Sequence, residues 1–186
     1  MALAGILRAV EELRTARLLL RAWRPEDEAE MARINREPEV GRFLNRPVDD
    51  AAVAGFSALM TGHWRQYGFG PWAVESAEPG AEGRFLGFAG LAHVPPFLAA
   101  AGDAPELGWR LDPGAWGRGL ATEAATAARD DAFDRLGLAE VISVIHPDNV
   151  RSQRVATKLG MSRWRVIENP VLGRDVDVWH LAAPAR

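Results

Sequence analysis

The sequence reads Ala115-Trp116-Gly117-Arg118-Gly119-Leu120-Ala121-Thr122-Glu123-Ala124, directly after the strand-like run Glu106-Leu107-Gly108-Trp109-Arg110-Leu111. This order of strand, glycine-rich turn and helix governs the interpretation of the whole chain. A helix that begins at such a turn leaves several backbone N–H groups unpaired at the positive end of the helix dipole. Because helix starts of this kind bind phosphate groups, the stretch predicts a phosphorylated cofactor.

Composition indicates an ordinary soluble domain. The chain has 186 residues, 48% apolar and 25% charged, which predicts a single domain over residues 1–186. A formal net charge of −3 gives no polybasic surface, so neither nucleic acid nor a membrane is expected as a partner. The chain contains no cysteine, which excludes disulfides and a cysteine nucleophile and fits a cytoplasmic protein.

The histidines do not predict a metal site. They stand alone in the sequence, at His63, His93, His146 and His180. None has a second ligand at the spacing that metal-binding pairs use. Each is therefore expected to be a surface or core residue, and no metal is predicted.

Residue periodicity predicts an α/β fold (α+β in some schemes), with a mixed, mostly antiparallel twisted sheet and helices on both faces. Strands are predicted at residues 18–23, 72–75, 85–94, 106–111, 141–145 and 175–181, the last as a half-exposed edge strand. Helices are predicted from Pro25, from Asp49 or Asp50, over 121–136 and after an N-cap at Asn149. Apolar residues at helical spacing also predict a helical N-terminal extension over 1–13.

The glycine turn does not identify the cofactor by itself. The dinucleotide-binding pattern requires Gly-x-Gly-x-x-Gly or Ala, and Thr122 stands at its third place. Glu140 lies at the distance of a ribose-binding acid, but it precedes its predicted strand instead of following it. A nucleotide-binding oxidoreductase is therefore a rival interpretation that fits these residues poorly.

Four stretches of the chain, in this order, resemble the GNAT superfamily of acetyl-CoA-dependent N-acetyltransferases. More narrowly, the chain is similar to the branch of ribosomal-protein N-terminal alanine and serine acetyltransferases. The resemblance covers about residues 14–182. It is carried by Thr15-Ala16-Arg17-Leu18-Leu19-Leu20-Arg21, Phe85-Leu86-Gly87-Phe88-Ala89-Gly90-Leu91, residues 106–125 and Asn149-Val150-Arg151-Ser152-Gln153-Arg154-Val155-Ala156-Thr157-Lys158-Leu159-Gly160-Met161.

The resemblance implies that the glycine turn holds the pyrophosphate of coenzyme A. Gly119 and Ala121 fill the last two places of the family pattern Arg/Gln-x-x-Gly-x-Gly/Ala, and Trp116 stands where the pattern has Arg or Gln. The cosubstrate would be acetyl-CoA. The implied contacts of this turn are Trp116, Gly117, Arg118, Gly119, Leu120, Ala121 and Thr122.

Two further cofactor contacts are implied by the resemblance. The backbone of Trp109, Arg110 and Leu111 would pair with the pantetheine arm as an added strand does. Asn149 matches the family asparagine that contacts the cofactor beyond the next strand.

Each of these residues also has a structural interpretation. Gly117 and Gly119 can simply make a tight turn, and Asn149 is a helix N-cap whatever else it does. Ser152 can be a buried hydroxyl bonded to its own helix. The Trp116 side chain can pack mainly in the core and line a pocket only secondarily.

Acetyl transfer from a thioester to an amine needs a neutral amine, support for the oxyanion and a proton for the thiolate. Without cysteine or a Gly-x-Ser-x-Gly elbow, direct attack by the bound amine is expected. Glu106 is the predicted base, acting through water, with Glu75 as a weaker substitute. The resemblance also implies the acid: many relatives use a tyrosine, but the sole tyrosine here, Tyr67, lies on a distant predicted helix, and Ser152, which matches the serine of the resembled branch, is the predicted replacement. A thiolate with a pKa near 8.5 can also leave with help from solvent alone. A backbone N–H near Leu111 is expected to hold the oxyanion.

The predicted function is acetyl transfer to a primary amine, either a peptide N-terminal α-amine or a small-molecule amine. The alternative is an acyl-CoA-binding sensor or structural module without turnover. The expected partners are acetyl-CoA and the amine. A homodimer through the N-terminal helix or the strand at 175–181 is left open.

Overall fold

One sheet of eight strands runs through the part of the chain that the computed structural model describes, residues 10–44 and 56–185. The strands are β1 Leu13–Arg14, β2 Leu18–Arg21, β3 Pro71–Ser76, β4 Phe85–Ala92, β5 Glu106–Leu111, β6 Glu140–Ile145, β7 Ser162–Asn169 and β8 Arg174–Ala182. They lie in the order β1-β2-β3-β4-β5-β6-β8-β7. Among these strands, β5 and β6 run parallel and every other neighbouring pair is antiparallel.

Helices cover both faces of this sheet. They are α1 Asp27–Arg36, α2 Pro38–Gly41, α3 Phe56–Tyr67, α4 Leu120–Asp134 and α5 Val150–Lys158, with short 3-10 helices at Pro96–Ala101 and Pro113–Ala115. In the described ranges, no helix has the length and apolar character needed to cross a membrane. The predicted fold class, a mixed and mostly antiparallel sheet between helices, is confirmed.

The core on one face depends on the small side chains of α4. Ala124, Ala125 and Ala128 are fully buried and pack in one cluster with Leu107 and Leu111 of β5. Alanine lets the helix backbone approach the sheet closely, which brings the start of α4 next to the end of β5. On the other face, α1 packs through a separate cluster.

The prediction of an edge strand at 175–181 is wrong. Strand β8 lies between β6 and β7, and β7, which periodicity did not predict, forms the edge. The alternating Asp and Val residues of β8 resembled a solvated face. Asp177 is instead buried and accepts a hydrogen bond from Arg163 of β7 at 2.6 Å, so its charge is paired inside the sheet.

The predicted helical extension over residues 1–13 can be checked only in part, because the structure describes the chain from residue 10. Residues 1–9 lie outside the described residues, as do Asp49 and Asp50, the predicted caps of the second helix. The helical prediction for 10–13 is wrong, because Leu13 and Arg14 form β1. Leu13 pairs with Leu20 of β2, so sheet pairing outweighs the helical spacing of the apolar residues.

The feature that positions the functional site is the divergence of β5 and β6. These strands pair at one position, Glu106 with Ile142. Beyond that pair, β5 continues to Leu111 with strand pairing to β4 on its other side. A gap therefore opens between the carboxyl ends of two central strands, where the glycine turn and α4 begin.

Candidate active site

A cavity of about 770 Å³ lies where β5 and β6 diverge. It is bounded by β5, the glycine turn and the first turns of α4 and α5. The structure brings together in its lining all but one of the predicted site residues: Glu106, Trp109, Arg110, Leu111, Trp116, Gly117, Gly119, Leu120, Ala121, Thr122, Asn149 and Ser152. The exception is Arg118, whose side chain donates to both carboxylate oxygens of Glu78 at 2.7 Å, outside this lining.

The turn before α4 presents backbone N–H groups to the cavity. Gly117 and Gly119 have φ values of 77° and 80°, a conformation that L side chains rarely adopt. Gly119 is the N-cap of α4 and supplies no side-chain cap. The first intrahelical bond found is from Glu123 N to Gly119 O, at 3.0 Å. The three N–H groups between these residues therefore have no partner inside the helix and are available to an anion.

Strand β5 turns a row of backbone groups toward the gap. Asp112 N donates to Leu86 O of β4 at 2.8 Å, so, by the alternation of antiparallel pairs, Trp109 and Leu111 direct their N–H groups to the opposite side, toward β6. The Leu111 carbonyl on that side accepts a hydrogen bond from the Trp116 indole at 2.8 Å. Trp116 thereby fixes the turn against the end of the strand.

The side chain of Arg110 lies on the other face of β5. Its Nη1 donates to Asn35 Oδ1 of α1 at 2.7 Å, and its guanidinium lies 5.2 Å from the Phe88 ring centroid. An ion pair between Arg33 and Asp112 also ties α1 to the end of the same strand. These contacts hold α1 as a wall of the cavity beside the strand that carries Glu106.

Glu106 lies at the narrow end of the gap. Its side chain is partly buried, and Oε1 accepts a hydrogen bond from Val144 N at 3.4 Å. Burial raises the pKa of Glu106 to about 7, against the opposing effects of the Val144 N–H and of Arg110. A carboxyl with this pKa exchanges protons near neutral pH, as a general base requires.

Glu75, the weaker candidate base, is placed elsewhere. Its Oε2 accepts from Arg21 Nε at 2.6 Å and pairs with Arg24 at 3.2 Å, and Glu75 is not among the cavity-lining residues. Arg21 also forms a two-pronged pair with Asp27, at 2.7 and 2.9 Å. The carboxylate of Glu75 is therefore part of a buried ion cluster that joins β2, α1 and β3.

The start of α5 supplies the opposite wall. Asn149 caps the helix by accepting a hydrogen bond from Ser152 N at 3.2 Å, as predicted. The Ser152 side chain lines the cavity, and no hydrogen-bond partner of its hydroxyl is found among the described residues. By contrast, Thr157 on the same helix donates back to Gln153 O at 2.9 Å.

Three histidines line the cavity, which the sequence did not indicate because each stands alone in the chain. His63 Nδ1 donates to Phe69 O at 2.8 Å, while its Nε2 accepts from His93 N at 3.0 Å. The ring is therefore neutral, and burial lowers the pKa of His63. Burial and the charge of Arg174 also lower the pKa of His146.

Much of the remaining cavity lining is apolar. Glu39, a charged residue of this lining, pairs with Arg151 at 3.3 Å. The apolar and aromatic lining comes from α2 and the residues after it, from α3, from β4 and from the segment after β4: Val40, Phe43, Leu44, Leu59, Met60, Phe88, Pro95 and Phe97.

Comparison with known proteins identifies the family to which this chain belongs. The family model for the acetyltransferase (GNAT) domain matches residues 17–162. The chain belongs to the GNAT acetyltransferase family. The match includes β2, the glycine turn and α5, the elements from which the family resemblance was predicted, so that prediction is confirmed.

Individual GNAT proteins support the assignment. The chain is 33% identical over 162 residues to the FsC-acetyl coenzyme A-N(2)-transacetylase of Aspergillus fumigatus, covering 84% of this chain and 67% of that protein. An acetyltransferase structure from Agrobacterium tumefaciens is 29% identical with a TM-score of 0.79, covering 93% and 95% of the two chains. The family and these relatives establish an acetyl-CoA-dependent N-acetyltransferase.

A second solved structure shares the fold and contains coenzyme A. It is RimL, a ribosomal-protein α-N-acetyltransferase, solved in complex with coenzyme A. The two structures superpose with a TM-score of 0.71 at 15% identity, covering 93% of this chain and 98% of RimL. At this identity the likeness concerns the fold alone.

Proposed function

We propose that this GNAT enzyme transfers the acetyl group directly from acetyl-CoA to a primary amine, without a covalent acyl-enzyme. The acceptor would be a peptide N-terminal α-amine or a small-molecule amine. The proposal is supported by the carboxyl of Glu106, with a pKa of about 7, which lines the same cavity as the glycine turn. A site with the base and the cofactor turn in one cavity suits direct transfer.

The cofactor contacts follow from the backbone groups that face the cavity. The N–H groups from Gly117 to Thr122 would bind the pyrophosphate of acetyl-CoA, favoured by the dipole of α4. Trp109 and Leu111 would pair with the pantetheine amides across the gap beside β6. Asn149 would contact the cofactor from the start of α5.

The chemical step then uses three groups of this chain. Glu106 takes a proton from the amine through a water molecule, and the neutral nitrogen attacks the thioester carbonyl carbon. A backbone N–H of β5 stabilises the oxyanion while the C–N bond forms and the C–S bond breaks, and the nitrogen gives up its remaining extra proton to solvent. The Ser152 hydroxyl passes a proton to the departing thiolate and regains one from solvent.

An acetyl-transfer screen tests the proposal. The purified protein is titrated with coenzyme A by calorimetry and then assayed with acetyl-CoA against peptides of varied N-terminal residue and against small amines. We expect coenzyme A binding and acetylation of at least one amine class, with the product identified by mass spectrometry. Binding without turnover of any amine would favour the sensor instead, and absence of binding would contradict both.

Ser152 is tested with a matched variant on the same helix. Ser152→Ala is expected to lower kcat about tenfold or more at saturating acetyl-CoA, in the lower range of proton-transfer effects. Thr157→Ala serves as the control because its hydroxyl bonds to its own helix and is exposed. Equal kcat values for Ser152→Ala and the control would indicate that solvent protonates the departing thiolate. Solvent can do so because the thiol has a pKa near 8.5.

A further inference from the structure

The glycine turn has little rigidity of its own. Gly117 and Gly119 both adopt left-handed backbone angles, and a Cβ added to Gly117 would meet nothing within 4 Å. Gly119 caps α4 without a side chain. A turn built from two unrestrained glycines samples many conformations unless contacts from elsewhere fix it.

Such contacts come from the segment before β2. Arg17 Nη1 donates to the carbonyl of Arg118, in the middle of the turn, at 3.0 Å. The same guanidinium reaches Glu123 in the first turns of α4, with Nε to Oε2 at 2.8 Å and Nη2 to Oε2 at 2.6 Å. Thr15 Oγ1 and Arg17 N donate to the other carboxylate oxygen of Glu123, at 2.6 and 2.9 Å. One arginine thus connects the turn to the helix that follows it.

The bond to the Arg118 carbonyl also orients a cavity-facing donor. In a planar trans peptide the C=O and the next N–H point in opposite directions. Because the carbonyl of Arg118 points toward Arg17, the N–H of Gly119 points away from it. Gly119 lines the cavity, so this geometry favours an N–H directed at the bound pyrophosphate.

Charge gives the same contacts a second effect. Partial burial acts to raise the pKa of Glu123, but hydrogen bonds from Thr15 and Arg17 outweigh it and hold that pKa below its usual value. Glu123 is therefore an anion close to the place where the pyrophosphate would bind. Arg17 neutralises it, which removes a repulsion that would otherwise oppose cofactor binding.

We propose that Thr15, Arg17 and Glu123 form a brace that positions the glycine turn for the pyrophosphate of acetyl-CoA. These three residues act through the turn and are positioning residues. The inference rests on the proposed function, in which the turn binds this pyrophosphate.

Coenzyme A affinity tests the brace, with Arg14→Ala as the control. Arg14 lies in the same segment and is exposed, and among the described residues its side chain forms a long ion pair with Glu12 at 3.6 Å. Calorimetry is expected to give a Kd for coenzyme A at least tenfold higher in Arg17→Ala and within twofold of wild type in Arg14→Ala. Arg17→Lys, which keeps the charge but not the planar fork, is expected to lie between them.

Thr15, whose Oγ1 also accepts a hydrogen bond from Leu18 N at 3.0 Å, provides a second test of the brace. Thr15→Ser keeps the hydroxyl that donates to Glu123 and is expected to retain the wild-type Kd, whereas Thr15→Val is expected to raise it severalfold. With an acetylated amine, the KM for acetyl-CoA should rise in Arg17→Ala and Thr15→Val while kcat and the KM for the amine stay within twofold. A purely structural loss would instead lower the apparent kcat in proportion to the folded fraction, measured by circular dichroism, and leave both KM values unchanged.

Two results overturn different claims. If wild type binds coenzyme A and the Kd of Arg17→Ala matches that of Arg14→Ala, the brace is wrong while the proposed function stands. Equal Kd values for Thr15→Ser and Thr15→Val would likewise contradict it. If wild type does not bind coenzyme A, the proposed function itself is wrong.

Discussion

Two glutamates of similar appearance in the sequence have different environments in the fold. Glu106 has a weak N–H contact at 3.4 Å and a raised pKa, whereas Glu75 is held by Arg21 at 2.6 Å in a buried ion cluster. The sequence ranked Glu106 above Glu75 through the family resemblance. It could not show that Glu75 is paired, because Arg21 and Glu75 come together only through the pairing of β2 with β3.

The pH dependence of turnover should follow Glu106. Burial raises the pKa of this carboxyl to about 7, so the base is protonated below that pH and kcat/KM should fall on the acid side with an apparent pKa near 7. Glu106→Gln should remove this limb and lower kcat/KM about 10²- to 10⁴-fold, the range for loss of a general base. A pH–rate profile of both proteins makes the comparison, and an unchanged acid limb in the variant would assign the limb to another group.

The same raised pKa predicts how Glu106 affects stability. Its folded-state pKa of about 7 lies above the ordinary value of 4.5 for a glutamate carboxyl, so between these pH values the folded protein retains a proton that the unfolded chain has lost. The stability that Glu106 contributes is complete below about pH 4.5 and is lost as the pH rises to 7. Glu106→Gln should therefore raise Tm relative to wild type more at pH 8 than at pH 5. The exposed Glu168→Gln should show no such difference, and a larger gain at pH 5 would contradict the assignment.

At the scale of elements, the sequence pattern predicted helices and strands correctly where a segment's own residues determine its structure. Strand β5 and the N-cap of α5 at Asn149 were predicted with their observed starts. Strand β7 was missed because its register shifts between Arg163 and Arg165, which breaks the alternation that identifies a strand. The apolar walls of the cavity were also beyond prediction, since they come from segments that are distant in sequence.

Asn149 has a capping role that substitutions can separate from the proposed cofactor contact. Its Oδ1 accepts from Ser152 N at 3.2 Å, so Asn149→Ala should lower the free energy of unfolding by about 1 kcal/mol. Asn149→Asp keeps a capping oxygen and should retain most of the stability, but it replaces the amide donor with a negative charge facing an anionic cofactor. Urea denaturation and coenzyme A calorimetry test the pair. Equal Kd values for Asn149→Asp and wild type would limit Asn149 to capping.

At the scale of the whole molecule, contacts between remote segments hold the site together. Arg17 joins the start of the sheet to α4, Arg110 joins β5 to α1, and Arg21 joins β2 to α1 and β3. In the first two contacts, the partners are far apart in the sequence: Arg17 bonds to Glu123, and Arg110 bonds to Asn35. The family resemblance predicted the arrangement of the elements, but the side-chain contacts that hold these elements together could be seen only in the structure.

The buried cluster of Arg21, Asp27 and Glu75 should matter for the fold and not for the chemistry. The side chains of Arg21 and Asp27 are 3% and 2% exposed, so the cluster is shielded from water. Glu75→Ala leaves Arg21 paired with Asp27 but removes one charge-assisted hydrogen bond, which should lower the unfolding free energy by about 1.5–3 kcal/mol. The kcat/KM per folded molecule should stay near wild type, because Glu75 does not line the cavity. Denaturation and active-site titration measure the two quantities. A large loss of kcat/KM with unchanged stability would return Glu75 to the list of candidate bases.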